Sequence, residues 1–169
     1  SEMSGGIKNV RVSNKLYIGT DVGLRFKSTR GRGGVVENIY IRDVNMVNIP
    51  NEGLLFDLFY GGKGAGEETE EELAARMNAE APEASEETPA FRNIVIEDVK
   101  GTNLKRAIYF NGLPEMKIQN VTLRNITMSA TEGALFRQTD GLAIDNVHIQ
   151  AEKGEAFSLA PTVENVKIN

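Results

Sequence analysis

One short pattern returns along the whole chain: asparagine, apolar, any residue, apolar, any residue, then asparagine or aspartate. It reads NVRVSN at 9–14, NIYIRD at 38–43, NIVIED at 93–98 and NVTLRN at 120–125. Shorter copies follow at NVHI (146–149) and NVKIN (165–169). The leading asparagines lie 29, 55, 27, 26 and 19 residues apart, and the 55 is one ordinary interval plus an insertion. A second short apolar run follows most copies: GLRFK (23–27), GLLFD (53–57), AIYFN (107–111), GALFRQ (133–138) and AFSL (156–159). Several short strands per turn of the pattern, with period-2 alternation and no helical period, predict an all-β chain wound as a parallel β-solenoid. Asparagines at one corner of each unit can stack into a ladder and hydrogen-bond the turn backbone. The apolar runs then fill a central core, each coil burying its face on the next. An immunoglobulin-like sandwich also has short strands, but it has no reason to keep one Asn-apolar phase four times. The expected architecture is a right-handed parallel β-helix of about five coils, one domain over residues 1–169.

Residues 61–89 break the pattern. Nine glutamates face one arginine between 67 and 87, so this segment accounts for more than the whole net charge of −5. The body of the chain is mildly basic, which suits an anionic ligand. Glycines and prolines flank the segment, and Glu70 to Ala79 has helix-forming composition, so the expectation is a disordered acidic excursion that can carry a short helix. No apolar run approaches the ~20 residues that span a membrane. The absence of cysteine and the single histidine, His148, exclude thiolate and multi-histidine metal sites within these residues. No metal or cofactor is expected. His148 alternates with Val147 and Ile149 and reads as a surface residue. Asn120 and Asn125 sit in glycosylation sequons but fall inside the repeat, where they read as ladder residues.

Within the repeat, DVGLRFKSTRGRGG (21–34) carries the chemistry. Successive strand side chains point to opposite faces, so Arg25 and Lys27 leave one face together while Leu24 and Phe26 enter the core. Two cations fixed side by side can receive a carboxylate or phosphate, Arg as a planar fork and Lys as a point charge. The same R-x-K also describes an ordinary solvated strand face. Stacked in register, the next coil places Leu55 and Asp57 beside the pair, and the one after adds Tyr109 and Asn111. Asp57 is then a cross-strand partner for Lys27. Tyr60 lies just beyond, either as a platform for a sugar ring or as a loop anchor. STRGRGG (28–34) reads as a turn whose glycines permit close approach of an anionic chain to Arg30 and Arg32. It lacks the Gly-Lys-Ser/Thr ending of a phosphate-binding P-loop.

SEMSGG (1–6), GTDVGLRFKSTRGRGGVVENIYI (19–41) and LLFDLFY (54–60) resemble the C-terminal half of glycoside hydrolase family 28, the polygalacturonases. The likeness is closest to bacterial, Bacteroidetes-type members. It implies a pectin-lyase-like β-helix, inverting hydrolysis of α-galacturonic linkages in pectin, and a periplasmic or secreted location. It also implies that Arg25 and Lys27 bind a uronate carboxylate and that Tyr60 contacts the sugar. Acidic polysaccharide is the implied partner, with no nucleic acid and no membrane. The family's catalytic aspartates, in Asn-Thr-Asp and Asp-Asp motifs, and its Gly-His-Gly histidine have no match in these 169 residues. The chain is therefore expected to be the substrate-binding part of such a fold, inactive alone, with an exposed solenoid end open to self-association or to a missing N-terminal half.

The residues themselves agree. An inverting glycosidase needs an acid and a base about 6.5–9.5 Å apart. Near the basic pair the only carboxyls are Asp21, Asp57 and Glu52. Asp21 lies in a turn pattern, and Asp57 beside a lysine would be held ionised, so both are weak catalytic candidates. A non-catalytic binder of acidic polysaccharide and a purely structural solenoid remain as alternatives.

Overall fold

The computed structural model describes residues 5–60, 69, 71, 72, 75 and 80–169. Seven strands make one parallel sheet: β1 (Ile7–Ile18), β2 (Leu24–Lys27), β3 (Val35–Asp57), β4 (Ala90–Asn111), β5 (Ile118–Arg137), β6 (Thr139–Leu159) and β7 (Val163–Ile168). Each pairs with the next in the order β1-β3-β4-β5-β6-β7, and β2 pairs with β3 beyond the end of β1. This is the stacking of a parallel β-helix: five coils and the start of a sixth.

Strands of 20 or more residues are possible because they bend at fixed corners. Asn38, Asp43 and Asn48 in β3, and Asn93, Asp98 and Asn103 in β4, all have φ near +57°. The left-handed region costs most residues 1–2 kcal/mol, and asparagine and aspartate least among those with a side chain. Corners five residues apart restart the in–out alternation each time. The residues one and three past the first corner therefore point inward, as do those just past the second and third: Ile39, Ile41, Val44, Met46 and Ile49 are buried, as are Ile94, Ile96 and Val99 below them. Asn9, Asn38, Asn93 and Asn120 join side chain to side chain along the first corner, at 3.1, 3.5 and 3.3 Å.

The fifth coil departs from the sequence reading. NVHI (146–149) is out of phase with the first-corner copies: Val147 pairs with Ile126 and His148 with Thr127, so Asn146 sits at the second corner and bonds Asn125. The first corner of that coil belongs to Gly141, φ +79°. Glycine reaches the left-handed region without a side chain, so it does the asparagine's backbone work while being invisible to the pattern. His148 is exposed, its Nε2 3.0 Å from Asn146 Oδ1. Asn120 and Asn125 are ladder residues at corners.

The core carries a column of rings. Phe26, Phe56, Phe110 and Phe136 stack coil on coil, with centroids 4.3, 4.2 and 4.9 Å apart. They lie directly beneath the outward row that holds Lys27, so the basic strand rests on this column of rings. Much of the acidic segment lies outside the described residues. Within it Glu71, Glu72 and Ala75 are helical, and Thr69 and Glu72 exchange side chain-to-backbone hydrogen bonds at 3.0 and 3.2 Å. That reciprocal bonding is a capping box.

Candidate functional site

The face past the third corner of each coil gathers the singled-out residues. Leu24↔Leu54, Arg25↔Leu55, Phe26↔Phe56 and Lys27↔Asp57 are register partners, followed by Tyr109 and Asn111 on β4. The expected stacking is therefore observed residue for residue. Leu24 is buried while Arg25 and Lys27 point out.

Tyr60 joins them through the backbone. Its N–H donates to the Ser28 carbonyl at 2.9 Å, which lays the ring against the basic strand. Lys27 Nζ stands 4.0 Å from the ring centroid, and the guanidinium carbon of Arg32 lies 5.9 Å from it. An ammonium over a tyrosine face is attracted to the ring's negative quadrupole. Arg25 donates from Nη2 to Asp21 Oδ2 at 2.5 Å, and Asn51 donates to the other oxygen. The Arg25 bond, with help from Asn51, holds the Asp21 carboxyl below the usual aspartate range. Asp21 is thus a fixed acceptor rather than a proton donor.

Asp57 accepts from Phe59 N–H at 2.9 Å and from Asn111 Nδ2 at 3.0 Å, so it ties the strand end to the next coil. Glu52 behaves oppositely to Asp21. Burial pushes its carboxyl up, against the lowering influence of Arg106, Lys105 and Arg25. One carboxyl of the three is therefore tuned toward acid behaviour, and it lies in the row of Arg106, away from Lys27 and Tyr60.

Two contacts were not legible beforehand. Arg30 gives Nε and Nη2 to the two oxygens of Glu115 at 2.5 and 2.7 Å, a fork-on-carboxylate pair spanning 85 residues. The side chain of Glu115 is only 4 % exposed. Arg30 also lies 5.0 Å from the Phe59 ring. The pair connects the 28–34 turn of the first coil to NGLPEM of the third, passing over the strand end of the second. Further along the face, Tyr109 sits between Arg106 and Arg137, each 5.8 Å from its centroid. Nothing local in NGLPEM marks Glu115 as a partner for an arginine two coils away.

This face gathers cations and an aromatic ring on a rigid parallel sheet. Residues 2–151 match the sequence profile of Glycosyl hydrolases family 28. The chain belongs to that family. As a family 28 chain, it is similar to a probable polygalacturonase of Vitis vinifera, 29% identical over 135 residues, 76% of this chain and 23% of that protein. It is also similar to a polygalacturonase of Ralstonia nicotianae, 30% identical over 146 residues, 79% of this chain and 23% of the relative. A third such enzyme, from Ralstonia solanacearum, is 30% identical over 152 residues, covering 80% of this chain and 25% of that one. The family 28 chain thus spans about a quarter of the length of these relatives. No solved structure gives a significant match.

Proposed function

We propose that this family 28 chain supplies the substrate-binding face of a polygalacturonase-type hydrolase acting on pectin. The observation that carries the reading is the Lys27–Tyr60 contact at 4.0 Å beside Arg25: two cations and an aromatic ring brought to one outward face by the register of the coils. Arg25 and Lys27 bind a uronate carboxylate, and Tyr60 supports the sugar. Hydrolysis in the whole protein is inverting and runs on carboxyls outside these 169 residues. In support, Asp21 and Asp57 are both committed as acceptors within the fold. Such a protein works on an extracellular polysaccharide, so its place is the periplasm or the medium.

The test is a reducing-end assay on polygalacturonate with a parallel binding titration, on this chain and on Lys27→Ala and Tyr60→Ala. Binding without release of reducing ends, weakened about tenfold in either variant, is expected from loss of a charge-assisted contact at Lys27 or of the aromatic platform at Tyr60. Release of reducing ends by the chain alone would place the acid and base within it. Undiminished binding in both variants would sink the assignment of the site.

A further inference from the structure

The segment from Arg25 to Arg32 holds four cations, and they are not equivalent. Arg25 is engaged by Asp21, and Arg30 by both oxygens of Glu115. Lys27 and Arg32 make no ion pair among the described residues, although the backbone carbonyl of Glu87 lies close enough to accept from both Gly31 and Gly33, at 3.0 Å each. What Arg32 and Lys27 share is the Tyr60 ring, which is 37 % exposed and approached by both cations.

A ring face attracts a cation but accepts none of its N–H donors in the plane of the guanidinium. The fork of Arg32 is therefore still available to a planar carboxylate. The turn that presents it is fixed. Arg32 N–H donates to the Thr29 carbonyl at 3.2 Å, and Gly31 and Gly33 on either side take φ of +85° and +59°. A side chain at Gly33 would meet the Glu86 carbonyl oxygen at 2.2 Å, so the backbone packs down on the acidic segment's end with no slack. Arg30–Glu115 pins the same turn from the other side. A donor held this way loses little freedom when it binds.

We infer that Arg32 is a further ligand-binding residue, forming with Lys27 a two-pronged clamp across Tyr60 that takes two carboxylates of one uronate chain. This rests on the reading of the face as a uronate site, and it narrows that site to unesterified stretches of at least two sugars. Methyl-esterified units offer no anion to one of the prongs.

Calorimetry on the full 169-residue chain tests it, using trigalacturonate, monomeric galacturonate and dextran sulfate as probes. Arg32→Ala is expected to weaken trigalacturonate about tenfold and to leave the monomer unchanged. Lys100→Ala, an equal charge loss on another face, should change neither. Arg32→Ala binding trigalacturonate like the parent, while Lys27→Ala loses it, overturns the clamp and keeps the uronate site. Dextran sulfate bound and weakened by Arg32→Ala, with no galacturonate bound, keeps the clamp and overturns the uronate reading. Failure of the parent to bind any of the three overturns both.

Discussion

At the scale of single residues, the corner asparagines do two jobs that can be separated. Asn93 holds φ +56°, donates to Asn38 and accepts from Asn120. Asn93→Gly keeps the backbone and loses the ladder bonds. Asn93→Ala loses both, and should be less stable than the glycine variant by about 1 kcal/mol in denaturant unfolding. Asp21 gives a pH test. Its pKa is lowered in the fold by Arg25, so its contribution is present above the ordinary aspartate range near pH 4 and is lost as pH falls through the lowered value. Asp21→Asn should lower the neutral plateau by that small contribution, with the variant and parent profiles converging as pH falls through the lowered value. The corner residues also mark where sequence reading succeeds and slips. Asparagine marks the first corner in the sequence at Asn9, Asn38, Asn93, Asn120 and Asn165. Gly141 performs the same backbone role and leaves no such mark, so Asn146 was assigned the wrong corner.

At the scale of elements, the strand bearing Lys27 depends on what lies under it and what holds the turn after it. The phenylalanine column is the support. Phe110 is wholly buried between Phe56 and Phe136, and Phe110→Ala should cost about 3–5 kcal/mol, seen as a large drop in the denaturant midpoint. The Arg30–Glu115 pair is the restraint. The arginine holds the Glu115 carboxyl below the usual glutamate range, so the pair is complete throughout neutral pH. Glu115→Gln should leave the core intact but free the turn, and trypsin should then cut after Arg30 and Arg32 at least several-fold faster than in the parent. An unchanged cleavage rate would show that the backbone bonds to Glu87 alone hold the turn. The strand could be read from alternation, since Arg25, Phe26 and Lys27 declare their faces within three residues. The restraint could not.

At the scale of the whole molecule, outward rows alternate in sign from coil to coil, which adds to the register set by the corners and the core. Lys8, Glu37 and Arg92 follow one another, with bonds of 2.8 and 2.6 Å at Glu37. Arg42, Glu97, Arg124 and Asp145 form a second row, with Arg124 reaching 3.3 Å to each neighbour. Glu52, Arg106, Glu132 and Lys153 form a third, closed by the Arg106–Glu132 pair. Each exposed pair is worth only a few tenths of a kcal/mol, but slipping by one coil would set like charges together in all three rows. Glu97→Arg, which puts three arginines in line, should lower stability by about 1 kcal/mol, and added salt should recover part of it. The basic face differs, because in its row of Lys27, Asp57, Asn111 and Arg137 the uncharged Asn111 interrupts the alternation.

The sequence by itself determined the solenoid, most of its asparagine corners, the break in the repeat after Tyr60 and the outward pairing of Arg25 with Lys27. All of these follow from relations within about five residues: an alternation, a left-handed asparagine, a glycine-rich turn. Only the tertiary structure decided which cations stay open to a ligand. Arg30 is neutralised by a carboxylate 85 residues away, and Lys27 and Arg32 meet over a ring from the following coil. A β-helix brings residues a full coil or more apart within hydrogen-bonding reach, and which of them then pair depends on side-chain geometry across coils that no local pattern encodes.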